Sequence, residues 1–172
     1  MRMGTSVLAL CVWGVALAGF ADEGGQAPKK EKAPRFTLMD SDDKPFGFTF
    51  PYERPVLLTF ADQGGHEQTD AWTEPLLERY GERLELKAVA WLEEIPSLMR
   101  TAVLKIIQQS YDWVLLDWNG AVAKRYRCKA NGANVFIISK DGYILFEQHG
   151  KATKKRLNEA YEILDKELKK EE

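Results

Sequence analysis

Residues 54–72 read RPVLLTFADQGGHEQTDAW, and their reading decides the fold. Pro55 to Ala61 is an apolar, partly β-branched run suited to a strand buried on both faces. Asp62 to Gly65 supplies the turn chemistry that ends it, and the polar stretch that follows leads into an amphipathic helix. A strand, a loop and a helix in that order place the loop at the carboxyl end of a central strand. Ligands and catalytic groups gather at that end of open α/β sheets, so any chemistry is expected between Asp62 and Gln68. That loop holds no cysteine.

Working towards the C-terminus, Thr69 to Tyr80 carries Trp72, Leu76, Leu77 and Tyr80 at helical spacing, and Pro75 inside it predicts a kink or a preliminary turn. Leu84 to Trp91, LELKAVAW, reads as a second buried strand. Pro96 suits the first turn of a helix whose Leu98, Met99, Ala102, Val103, Ile106 and Ile107 form a face broad enough to pack on a sheet. Trp113 to Asp117 predicts a short strand, Asn119-Gly120 a turn, and Ala121 to Tyr126 a brief helix. Asn134 to Lys140 and Tyr143 to Gln148 flank Asp141-Gly142, a dipeptide suited to a two-residue hairpin at the edge of the sheet. Thr153 to Lys169 closes the chain as an amphipathic helix with Leu157, Tyr161, Leu164 and Leu168 on one face.

Towards the N-terminus, Phe36 and Leu38, the turn at Asp40 to Lys44 and a second short extended piece precede the central strand. Residues 34–170 therefore make one α/β domain, with parallel crossovers first and an antiparallel hairpin last. Residues 22–33, rich in Gly, Ala, Pro, Lys and Glu, read as a flexible linker. Residues 1–21 read as a signal peptide: Arg2 is the positive start, Val7 to Leu17 the apolar run, and Ala18-Gly19-Phe20-Ala21 the cleavage site. The expected location is the periplasm or another extracytoplasmic compartment, with membrane attachment only where that segment stays uncleaved. The 24 Lys and Arg are interspersed with 26 Asp and Glu, which builds no field for nucleic acid. Cys11 leaves with the signal, so Cys128 is the single mature thiol and no intramolecular disulfide can form.

The opening APRFTLMDSDDKPF, the strand PVLLTFA, the segment LDWNGAVAKRY and the hairpin VFIISKDGYILFEQHG, in that order and spacing, resemble the redoxin and TlpA-like branch of the thioredoxin fold. The resemblance runs from about Ala33 to Leu168 and implies a three-layer sandwich: a central mixed sheet with helices on both faces and a C-terminal hairpin plus helix. The stretch from Ile95-Pro96 through YDWVLLDWNGAVAKRY, with the hairpin, is similar to the YtfJ family of secreted thioredoxin-like proteins, which also lack the redox cysteines.

Thioredoxin chemistry needs two cysteines two residues apart at a helix N-terminus, where the helix dipole lowers one thiol's pKa and the second resolves the mixed disulfide. By the resemblance, those positions fall on Gly65 and Gln68. The cis-proline that such folds place before the hairpin falls near Ala133, in Asn131-Gly132-Ala133-Asn134, and is missing.

Three features remain as candidates. Cys128, beside Arg125, Arg127 and Lys129, is either a reactive thiol or a half-buried small hydrophobe. His66, near Asp62, Glu67 and Asp70, matches no metal-ligand spacing, and His149 has no evident partner. Trp72 and Trp118, with Ala133 and Asn134, are candidates for an apolar recognition surface, while Trp91 and Trp113 read as core. These readings give an exported module without the dithiol, needing no cofactor or metal and binding an envelope protein. The alternative is an atypical thiol-dependent oxidoreductase or peroxidase acting through Cys128.

Overall fold

The computed structural model describes residues 31–170; the segment read as a signal peptide lies outside them. Seven strands form one mixed sheet: β1 (Phe36–Asp40), β2 (Pro45–Phe48), β3 (Val56–Ala61), β4 (Glu85–Trp91), β5 (Leu115–Asp117), β6 (Asn134–Ile138) and β7 (Ile144–His149). Their order across the sheet is β2-β1-β5-β4-β3-β6-β7. β3, β4 and β5 run parallel through the crossover helices α1 (Asp70–Tyr80) and α2 (Arg100–Ser110), whereas β6 pairs antiparallel with β3 and β7 closes the edge. α3 (Ala121–Arg125) and α4 (Lys154–Leu168) complete the domain. The expected α/β architecture, with parallel crossovers first and the hairpin at an edge, is the one observed.

Alternation along β3 divides the core in two. Val56, Leu58 and Phe60 meet Phe36, Phe48, Tyr126 and Phe136 on one face, in an aromatic cluster closed by α3. Leu57 points the other way and joins Val135, Ile137 and Phe146 under Trp72, Leu76 and Tyr80 of α1 and Ala160 and Leu164 of α4. A strand buried on both faces is apolar throughout, which is why PVLLTFA carries no polar alternation.

The connections differ from expectation in two places. The hairpin turn takes five residues, not two: the Gly142 N–H donates to the Ser139 carbonyl and the Ser139 N–H to that of Tyr143. Gly142 sits at φ +87° with the Phe50 ring 2.6 Å from where a Cβ would stand, so a side chain is excluded there. The domain also starts a little before residue 34. The Ala33 N–H donates to the Gly142 carbonyl and Glu31 accepts from the Ile144 N–H, so the short Ala33 side chain enters the aromatic core.

α2 is the larger departure. The helix forms, preceded by a single turn at Ser97–Met99, but Ile107 is its one buried residue. Leu98 is 94% exposed, Met99 54% and Ile106 61%. Ile107, with Val103 and Leu104, packs on Leu92, Val114 and Leu116, and the side of the apolar face that carries Leu98, Met99 and Ile106 is turned to solvent. Among the described residues no helix is long and apolar enough to cross a membrane.

Candidate functional site

The carboxyl ends of β3 and β5 and the loop before β6 converge, and the polar groups there bond to one another. Asp62 ends β3. Its Oδ1 accepts from the Gly65 N–H at 2.8 Å, and its Oδ2 reaches across to accept from the Asn131 N–H at 2.7 Å. Gln68 Nε2 donates to the Asn131 carbonyl at 3.2 Å. A Cβ on Gly65 would lie 2.5 Å from the Gly132 carbonyl oxygen, so the two backbones touch and only glycine fits. The loop following β3 is thereby stitched to the loop preceding β6.

Asn134 holds the second loop from beneath. Fully buried, it donates through Nδ2 to the carbonyls of Phe60, Lys129 and Gly132, and its Oδ1 accepts from the Lys129 N–H and from His149 Nδ1. Three carbonyls around Nδ2 fix which way the amide faces, and Oδ1 can then only accept, so His149 Nδ1 carries a proton. Its Nε2 lies 3.1 Å from Glu147. His149 therefore has two partners, against the expectation of none. Ala133 is also fully buried, and the bond before it is trans.

The proposed recognition surface does not form. Trp72 is fully buried, and its indole N–H donates to the Gly150 carbonyl at 2.8 Å. Ala133 and Asn134 lie inside with it. The signal for Trp72 was its spacing: with Leu76 and Tyr80 it falls on the one buried face of α1. Trp118 is half-buried beneath the Arg100 guanidinium, 5.2 Å from its ring centre. Trp91 and Trp113, read as core, are half-buried and direct their indole N–H groups to Glu93 and Asp40.

His66 is exposed, with Nδ1 at 2.8 Å from the Gln63 carbonyl. Among the described residues no three His, Cys, Asp or Glu side chains come together as a metal site.

Cys128 is half-buried at the end of α3, against the aromatic core. Burial pushes its thiol far above the ordinary cysteine range, and the carboxylates of Asp117 and Glu147 push it further. The neighbouring cations do not offset this. Arg127 pairs with Glu31 at 2.9 Å and with Glu147 at 3.6 Å, and Arg125 donates to the Arg35 carbonyl. A thiol held protonated is neither a nucleophile nor a peroxide-reducing centre.

Sequence reading missed Asp117. At the end of β5 and fully buried, it accepts through Oδ2 from the Val122 and Ala123 N–H groups at the start of α3, while Oδ1 has no partner. It also missed a cleft of about 400 Å³ between the start of α1 and the end of α2, floored by β3 and β4. The signal was present at Ala88 and Ala90, two small side chains following Leu86 on a sheet face that, when covered, carries large ones.

No protein-family model matches this sequence, and no curated protein matches it. Solved structures do. A putative thiol:disulfide interchange protein DsbE from Chlorobium tepidum superposes with a TM-score of 0.61 at 18% identity, over 83% of this chain and 99% of that one. The fold is thioredoxin-like. The exposed lipoprotein thioredoxin Etrx1 of Streptococcus pneumoniae gives 0.59 at 16% identity over 75% and 98% of the two chains. StoA of Bacillus subtilis gives 0.54 at 12% over 76% and 96%. On this thioredoxin-like frame the first loop after β3 is tied to the loop before β6 through Asp62 and Gln68, with Gly65 packed against Gly132.

Proposed function

We propose that this protein is an exported thioredoxin-fold module without the redox dithiol, which binds or scaffolds a partner in the cell envelope. The observation that carries the reading is the closure of the loop: Gly65 and Gln68, which the resemblance sets at the dithiol positions, lie against Gly132 and Asn131 of the neighbouring loop. Export is supported by the composition of residues 1–21, and by the similarity in fold to the exposed lipoprotein thioredoxin of Streptococcus pneumoniae. The resemblance to the secreted YtfJ family points the same way. The alternative, thiol chemistry at Cys128, is disfavoured by the burial and the two carboxylates that keep that thiol protonated.

The test is turnover. The protein and its Cys128→Ser variant are each assayed for dithiothreitol-driven reduction of insulin disulfides and for peroxide consumption. Equal rates at background support the module. A wild-type rate well above background that vanishes in Cys128→Ser restores the thiol enzyme.

A further inference from the structure

The cleft between α1 and α2 is enclosed on three sides. Leu86, Ala88 and Ala90 of β4 form its apolar floor, with Thr59 of β3 beside them, and Ile107 of α2 closes one wall. Its size falls in the range of small-ligand sites, which combine an apolar body with few polar groups. Thr69 supplies one such group. It lines the cleft, and among the described residues its buried Oγ1 has no hydrogen-bond partner, although buried hydroxyls ordinarily have one.

The mouth has one sign of formal charge. Asp70 at the start of α1 and Asp112 after α2 both line it, and among the described residues neither side chain has an ion pair or a hydrogen bond. No Lys or Arg lines the cleft; His66 and Tyr111 complete the rim. An anionic ligand would meet two free carboxylates. A ligand with a positive end would meet two unengaged partners at the mouth and an apolar floor below.

We infer that the α1–α2 cleft is a binding site for a small amphiphilic cation, its apolar body on Ala88 and Ala90 and its positive head between Asp70 and Asp112. The inference rests on the reading of this protein as a binding module and names the site and ligand class for it. It also accounts for the small side chains of β4 and for the loose seating of α2, which leave the space open.

The test uses octylammonium, octanol and octanoate, which share one chain and differ in head charge, followed by amide shifts in nuclear magnetic resonance spectra near neutral pH. Saturable shifts at Ala88, Ala90 and Ile107 are expected, with octylammonium bound roughly fivefold more tightly than octanol and octanoate weakest. Asp70→Asn with Asp112→Asn is expected to remove the gap between amine and alcohol. Ala88→Leu fills the floor and is expected to abolish the shifts with all three. Octanoate binding as tightly as octylammonium, shifts that do not saturate, or an amine preference that survives the double variant would overturn the assignment. The two readings fail separately. Thiol turnover with saturable cleft binding overturns the module reading alone, whereas background turnover with no saturation overturns the cleft alone.

Discussion

The sealed end of the sheet and the open cleft beside α1 use the same strands for opposite purposes. At the sealed end Asp62 accepts across the gap from the Asn131 N–H, Asn134 donates to three carbonyls, and two backbones touch at Gly65 and Gly132. Under α2 the sheet presents Ala88 and Ala90 to an incompletely filled space, and the helix above buries only Ile107, with Val103 and Leu104 partly covered beside it. The difference teaches where this fold keeps its stability and where it leaves room. The loop after β3 is tied to its neighbour, and the space left open lies a few residues away.

The comparison predicts unequal costs of mutation. The largest is for Asn134→Ala, which strands three carbonyls, the Lys129 N–H and His149 Nδ1 in a buried site; a loss of about 3 kcal/mol is expected in urea unfolding. A loss below about 1 kcal/mol would mean that the loops hold themselves. Next comes Gly65→Ala. The added Cβ meets the Gly132 carbonyl oxygen, so roughly 2 kcal/mol is expected, with shifted amide resonances confined to the two loops. A neutral result would show that the loops can part, and would remove the main obstacle to placing a cysteine there.

Much of the fold was legible. PVLLTFA could only be a strand buried on both sides, and NVFIISK and YILFEQ about Asp141-Gly142 read as the antiparallel hairpin at the edge of the sheet. The site was less so. That the loop after β3 holds no cysteine could be read directly, but nothing local marks Asn134 as the residue that ties down the second loop, because its partners lie 2 to 74 positions away in sequence. α2 misled for a physical reason. Leu98, Met99 and Ile106 have the spacing of a core face, yet spacing cannot say whether a second layer stands ready to cover it.

Two smaller effects sharpen the comparison. Lys87, at 2.7 Å, and Arg54, at 3.1 Å, hold the Glu85 carboxyl below its ordinary value of 4.5 at the start of β4, the opposite end of that strand from the closed loops. A lowered carboxylate contributes stability above its unfolded pKa and loses it as pH falls through the folded one. Glu85→Gln is therefore expected to cost under about 1 kcal/mol at pH 7 and almost nothing at pH 3. An equal cost at both values would assign the residue to packing alone. Smallest of all, Leu98→Ser and Ile106→Ser are each expected to change stability by no more than about 0.5 kcal/mol, since both side chains are already in water. A loss of 2 kcal/mol by thermal melting would show that α2 is covered in solution, and with it the cleft.

The closed, unreactive site is tested most directly at Cys128. The rate of alkylation by iodoacetamide is followed from pH 6 to pH 10 in the native protein and in an unfolded control. The account predicts protection across the whole range, with the thiol reacting at the control rate only once the protein unfolds. Rapid native-state alkylation with a midpoint below the free-thiol value of about 8.5 would contradict it, because the thiol would then ionise despite its burial beside Asp117 and Glu147.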